Sequence, residues 1–146
     1  MRNDLINAVD EVKEKVYRDD LIFFIRNEMY QYDSEAKEKN FQLGRLHDEW
    51  NDLIWNSPRL RILAPRDHLK TTFFSIAYPV LRCKLYPEDL IYIFSKTDSQ
   101  AVKMLDSIKK LIKKSPFLQG LAGAGAEFWN KTEIRCSNGA TIYAQG

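Results

Sequence analysis

The sequence predicts an α/β fold in which a helical segment precedes a unit of alternating strands and helices. Three observations carry that expectation. Residues 59–64 form a short apolar strand pattern that turns directly into a crowded apolar helix pattern. The nearly unbroken apolar run Leu90-Ile91-Tyr92-Ile93-Phe94-Ser95 is followed by a helix through Lys114. Two further strand patterns then flank Ser137-Asn138-Gly139. Strands and helices alternating over short links favour a sheet with a parallel core. The chain divides on this reading into a helical segment, 1–57, and the α/β unit, 58–146.

Composition bounds the answer. The chain has 146 residues, 45% of them apolar, which suits about one domain with a core of its own. A formal net charge of +2 neither demands nor excludes nucleic acid, because an overall balance hides local patches. No apolar run approaches the roughly 20 residues of a membrane span, and Met1-Arg2-Asn3-Asp4 leads into no signal-peptide core, so an intracellular protein without a membrane partner is expected. Cys83 and Cys136 are isolated, and His47 and His68 lack metal-ligand spacing. Both cysteines read as packing residues.

In chain order, Leu5, Val9, Val12 and Val16 recur at helical spacing among charged residues, with Asp4 placed to cap an amphipathic helix. Leu21, Ile22, Ile25 and Met29 continue on one face, and helix is favoured over strand for 21–29. The polar stretch 33–40 reads as a loop or a solvated turn, with its charges a wet surface. Leu46, Trp50, Leu53 and Ile54 mark the next helix, which Asn56-Ser57-Pro58 stops.

The strand pattern of 59–64 delivers the chain to Ala64-Pro65-Arg66-Asp67-His68-Leu69-Lys70-Thr71-Thr72. This stretch reads as a phosphate-binding loop. In the consensus G-x-x-x-x-G-K-[ST], backbone N–H groups and a helix N-terminus converge on phosphates, the Lys reaches the outer ones, and the Ser or Thr holds Mg²⁺. Lys70 and Thr71 fit that register, while Ala64 and Leu69 stand where the consensus has glycines. A leucine is expected to serve there only if its backbone keeps negative φ. The competing reading makes Arg66 and Lys70 solvated surface charges. Phe74, Ile76, Ala77, Val80, Leu81 and Leu85 then give the buried face of the following helix, and Pro79 is expected to kink it or to end its regular hydrogen bonding near Tyr78.

Tyr86-Pro87-Glu88-Asp89 is a turn. The run Leu90 to Ser95 suits a strand covered on both faces. Thr97 with Gln100 gives a capping box, and Ala101, Met104, Leu105, Ile108, Leu111 and Ile112 form the stripe of the next helix. From Ser95 to Lys114 six lysines stand against two aspartates, with Lys109, Lys110, Lys113 and Lys114 in the last turns. Cations there are what the helix dipole favours, so a solvated helix end competes with contact to DNA phosphates. Pro116 closes the helix, residues 120–126 form a small-residue loop, and Asn138-Gly139 suggests a hairpin with a type I′ turn.

The segment Ile62-Leu63-Ala64-Pro65-Arg66-Asp67-His68-Leu69-Lys70-Thr71-Thr72, followed by Ser75-Ile76-Ala77-Tyr78-Pro79, resembles the variant Walker A segment of phage terminase large subunits, often A-P-R-G-H-x-K-[ST]. Asp67 and Leu69 are the departures. The resemblance spans most of 42–146, with Trp129 ahead of the hairpin, and is most specific at 62–79. It implies the first part of a P-loop NTPase domain with ATP and Mg²⁺ as cofactors. Pro65, Arg66, Asp67, His68, Leu69, Lys70, Thr71 and Thr72 would hold the nucleotide, Thr71 would ligate Mg²⁺, and Lys70 and Arg66 would be catalytic. Gln42, His47 and Trp50 become adenine-contact candidates, although a core role is favoured for Trp50 and a structural one for His47.

The whole protein would be an ATP hydrolase driving viral double-stranded DNA into a procapsid, in the cytoplasm of the infected host cell, at the procapsid portal. Its partners would be the portal protein, the small terminase subunit and further copies in a homo-oligomer ring. The Walker B carboxylate and the nuclease domain are not visible in this sequence, and the fragment alone is expected to be inactive. The alternatives are another P-loop DNA motor, such as a two-domain helicase, and a non-catalytic assembly or DNA-binding module.

Overall fold

The computed structural model describes residues 2–31, 43–66, 69–123 and 129–146. The stretch 33–40, Gln42, Asp67, His68 and residues 124–126 of the small-residue loop therefore lie outside the described residues. The chain divides into two compact units, Met1–Lys70 and Thr71–Gly146.

The first unit is helical. Helix α1 spans Arg2–Tyr17. It begins ahead of Asp4, which thus stands in the first turn, where a carboxylate favours the dipole, rather than at the cap. Leu5, Val9, Val12 and Val16 are exposed, and Tyr17 at the helix end is the residue that enters the core. Asp19, at φ 60, turns the chain into α2, Leu21–Phe24. The Asp20 side chain caps α2 by accepting the Phe23 N–H at 3.1 Å.

Helix α2 runs on into a π-helical turn, Ile25–Met29, closed by the Tyr30 N–H on the Ile25 carbonyl at 3.1 Å. This turn carries Glu28 into the interior, where the Tyr17 hydroxyl donates to Oε1 at 2.6 Å and Lys13 Nζ lies 2.9 Å away. A buried carboxylate demands such partners. The expected face of Leu21, Ile22, Ile25 and Met29 is buried. Helix α3, Arg45–Asn56, ends before Pro58 as expected. Asn51 ties it to the α1–α2 link, accepting from the Leu21 N–H at 2.9 Å and donating to the Asp19 carbonyl at 2.9 Å.

The expectation of a strand over 59–64 is not met. These residues join no ladder, and Leu63 is 82% exposed. Apolar alternation alone makes no strand: the backbone needs a neighbour on which to spend its donors and acceptors, and among the described residues none pairs here.

In the second unit the chain is helical from the start. A π-helical turn, Thr72–Ala77, leads into α4, Tyr78–Leu85. Pro79 has no N–H to offer the preceding turn. The disturbance falls on the N-terminal side, where the Tyr78 N–H bonds the Phe73 carbonyl five residues back, and α-helical bonding resumes beyond it. The proline widens a turn rather than breaking the helix. Phe73, Ala77, Val80, Leu81, Cys83 and Leu85 are buried, whereas Phe74 and Ile76 are only half-buried.

At the turn after α4, Arg82 Nε donates to Asp89 Oδ2 at 2.7 Å and its guanidinium lies 4.2 Å over the Tyr86 ring. The Asp89 bond holds the Arg82 pKa above its ordinary value.

Strand β1, Leu90–Phe94, leads through Thr97, whose Oγ1 accepts the Gln100 N–H at 3.3 Å, into α5, Asp98–Lys114. Only half of the expected capping box forms, because the Gln100 side chain instead accepts from the Ser95 hydroxyl at 3.0 Å. A short 3₁₀ turn, Gln119–Leu121, follows, then β2, Glu133–Arg135, and β3, Thr141–Gln145. The sheet order is β1-β3-β2, with β3 parallel to β1 and antiparallel to β2. The sheet is thus mixed: the parallel core expected from the alternation consists of one parallel pair. Ile91 and Ile93 lie on the same face of the pleat as Ile142, Ala144 and Ile134, and β3 and β2 pack against α5, whose Ala101, Leu105, Ile108, Leu111 and Ile112 are buried.

The other sheet face corrects a second expectation. Leu90, Tyr92 and Phe94 are 57%, 53% and 71% exposed, so β1 is covered on one side only. The Tyr92 ring stacks on Tyr143 at 5.0 Å and on Phe94 at 6.1 Å. An apolar run reports hydrophobicity, not the number of layers around it.

The hairpin is present with a different turn. The Gly139 N–H bonds the Cys136 carbonyl at 3.0 Å and the Cys136 N–H bonds the Ala140 carbonyl at 2.8 Å. Gly139 has φ 92, but Asn138 keeps negative φ, which excludes type I′. The link is a three-residue loop with Gly139 in the left-handed position. Asn138 prefers this form because its Nδ2 donates to the Cys83 carbonyl at 2.7 Å while its Oδ1 accepts the Ala140 N–H at 3.1 Å. The two buried cysteines meet beneath that loop. The hydrogen bond between the two thiols, with burial, raises the Cys83 pKa well above its ordinary value, and the same hydrogen bond lowers that of Cys136 against the opposing effect of burial.

Candidate functional site

The candidate loop comprises 64–66 and 69–72 among the described residues, Asp67 and His68 lying outside them. Ala64 is half-buried, and Pro65 and Arg66 are exposed. Leu69, half-buried, has φ 61. The condition set for a leucine to serve at this register, a negative φ, is therefore not met. Leu69 occupies the left-handed conformation for which a consensus glycine would be used, at a cost of about 1–2 kcal/mol. Such strain persists only where neighbouring structure over-determines it. The helix opens immediately afterwards, with Lys70 and Thr71 as its first residues, both exposed, and Thr72 beginning the π-helical turn. The setting is turn to helix; the strand that ordinarily precedes such a turn is lacking.

This arrangement fits a phosphate group. A left-handed residue just ahead of a helix start turns successive amides towards one side, and an exposed ammonium next in sequence supplies mobile positive charge. It does not fit a complete Mg²⁺ site. Thr71 offers one hydroxyl, and among the described residues no cluster of His, Cys, Asp and Glu could hold a metal ion.

The adenine candidates sit elsewhere in the first unit. His47 Nδ1 accepts the Gly44 N–H at 3.0 Å, closing the first turn of α3, and its ring meets Trp50 edge-on at 5.1 Å. Both side chains are buried, in keeping with the core reading. Gln42 lies outside the described residues.

The four lysines of α5 divide into two pairs. Lys109 Nζ donates to the Asn130 carbonyl at 2.5 Å, and Lys113 lies 5.8 Å over the Trp129 ring. Trp129 in turn donates its indole N–H to the Arg135 carbonyl at 2.9 Å. These two lysines thus hold the segment ahead of β2 against the helix. Lys110 and Lys114 are exposed.

Sequence reasoning missed the Glu28 cluster and the Cys83–Cys136 contact. The first needs a π-helical turn that no spacing rule anticipates, and the second joins residues far apart in the chain. No protein-family model, curated protein or solved structure matches this chain. Among the described residues no helix is long and apolar enough to cross a membrane.

Proposed function

We propose that residues 64–72 bind the phosphates of ATP, and that the chain supplies the first part of a P-loop ATPase of the terminase large-subunit kind, the rest of whose catalytic apparatus lies outside these residues. The observation that carries this reading is the conformation of Leu69. Leu69, at φ 61 directly before Lys70 and a helix start, has the backbone that a consensus glycine would supply at this register, and this supports the reading.

In this reading Lys70 neutralises the outer phosphates, amides between Arg66 and Thr71 cradle them, and Thr71 contributes a hydroxyl towards Mg²⁺. Arg66 stabilises charge on the transferred phosphoryl group or senses it. Titration calorimetry of the full chain with Mg·ATP and with a slowly hydrolysed analogue tests the proposal. Saturable binding is expected, and Lys70→Ala is expected to weaken it by roughly 10- to 100-fold, the loss of a charge-assisted contact. Wild-type protein that binds neither nucleotide at millimolar concentration refutes the proposal, as does binding indifferent to Lys70→Ala.

A role in handling DNA would rest on Lys110 and Lys114, because Lys109 and Lys113 are engaged within the chain. Reversing Lys110 and Lys114 together is expected to lower affinity for duplex DNA and to flatten its salt dependence by about two counterions. An unchanged salt slope would remove these lysines from any DNA contact.

A further inference from the structure

Cys83 and Cys136, the two cysteines of the chain, lie far apart in sequence and meet in the core of the second unit. Cys83 stands in the last turns of α4 and is wholly buried, while Cys136 follows β2 and is 7% exposed. Their backbones are pinned to each other's neighbourhood. The Asn138 side chain reaches from the hairpin loop to the Cys83 carbonyl at 2.7 Å, and Cys136 spends its own N–H on the Ala140 carbonyl and its carbonyl on the Gly139 N–H. The two thiols are hydrogen-bonded to each other and both are free. A cysteine kept for packing behaves as a small hydrophobe and needs no second sulfur beside it.

The two sulfurs are not equivalent. The hydrogen bond between them favours the anion on Cys136 and disfavours it on Cys83, where burial adds to the effect. Cys136 is also the one that touches solvent, and Ser137 and Gly139 in its loop are exposed. The thiolate is the nucleophile, so reaction begins at Cys136.

We propose that Cys83 and Cys136 form a dithiol–disulfide switch driven by hydroperoxides, Cys136 being the sulfur oxidised first and Cys83 the one that resolves it. The Cys136 sulfur attacks one oxygen of hydrogen peroxide, the O–O bond breaks, and the other oxygen leaves as water with the proton that Cys136 gave up, so that Cys136 becomes a sulfenic acid. The Cys83 sulfur then attacks the Cys136 sulfur. The S–O bond breaks, its hydroxyl leaves with the Cys83 proton as a second water, and the S–S bond forms. Two electrons pass from the thiols to the peroxide, and a dithiol reductant returns them. The new bond ties the end of α4 to the hairpin across a long stretch of chain and restricts the unfolded state accordingly. No residue of 64–72 takes part, so the inference stands apart from the nucleotide reading.

Intact-mass spectrometry of the full chain, reduced and then exposed to hydrogen peroxide under native conditions, tests the switch. The expected product is a single chain lighter by two hydrogens, with Cys83 joined to Cys136 in its peptide map, and dithiothreitol is expected to restore the original mass. The oxidised chain is expected to melt about 5 °C or more above the reduced one. The order of attack is read with dimedone, which traps sulfenic acids: Cys136 in Cys83→Ala is expected to be labelled at least about tenfold faster than Cys83 in Cys136→Ala.

The mass and melting measurements are made on wild-type protein and need neither variant to fold. A wild type that keeps both thiols under peroxide until urea unfolds it overturns the proposal, as does one that gains oxygen or joins two chains instead of losing two hydrogens. An oxidised form that melts no higher than the reduced one overturns it too, and so does faster labelling of Cys83.

Discussion

Leu69 sets two energies against each other. Its left-handed backbone costs about 1–2 kcal/mol, whereas a glycine in its place would cost about 0.5–1 kcal/mol in additional freedom of the unfolded chain. Leu69→Gly is therefore expected to stabilise the protein by up to about 1 kcal/mol, read as a higher urea midpoint at unchanged slope. A lower midpoint would show that the half-buried leucine side chain contributes more by packing than its backbone costs. The residue was legible in sequence as a departure from a motif. Its conformation was not, because a motif states which residue is usual at a position and not what the backbone does when another stands there.

The hairpin shows the same division at the scale of an element. Asn-Gly announced a tight turn between two strands, and the strands and turn are present. The turn type was decided elsewhere, by the Cys83 carbonyl on α4 to which Asn138 donates, a partner more than fifty residues away that no local rule contains. Gly139 must keep both its left-handed backbone and its bare Cα, since an added Cβ would lie 2.9 Å from Glu88 Cγ. Gly139→Ala is expected to cost about 1–3 kcal/mol, measured by thermal or urea denaturation. An unchanged midpoint would mean that the Pro87-Glu88 turn yields freely.

The helices were readable for a similar reason. Their signals, periodic apolar residues with stops at Pro58 and Pro116, lie within the segments themselves. The strand expected at 59–64 and the double cover expected for β1 depended on neighbours, and there local pattern misled.

At the scale of the molecule, each unit has a core with its own character. That of the first includes a buried carboxylate, and Glu28→Ala would take away the acceptor of the Tyr17 hydroxyl and of Lys13. The Tyr17–Glu28 bond is fully buried, while Lys13 is about one-third exposed and part of its attraction is screened. A loss of about 2–3 kcal/mol is expected. Amide exchange should show it first within α1, α2 and α3, with α5 and the sheet protected as before. Equal acceleration in both units would show that they unfold as one.

Among the described residues the middle strand of the sheet, β3, is also the last of the three in sequence. β1 and β2 are synthesised earlier, yet neither touches the other, and every ladder bond each makes is to residues 141–145 or their flanks. Without residues 141–145, the Tyr92 ring would lose Tyr143, on which it stacks. Residues 141–145 are thus the strand on which the whole sheet depends: removing them would leave β1 and β2 with no ladder partner among the described residues.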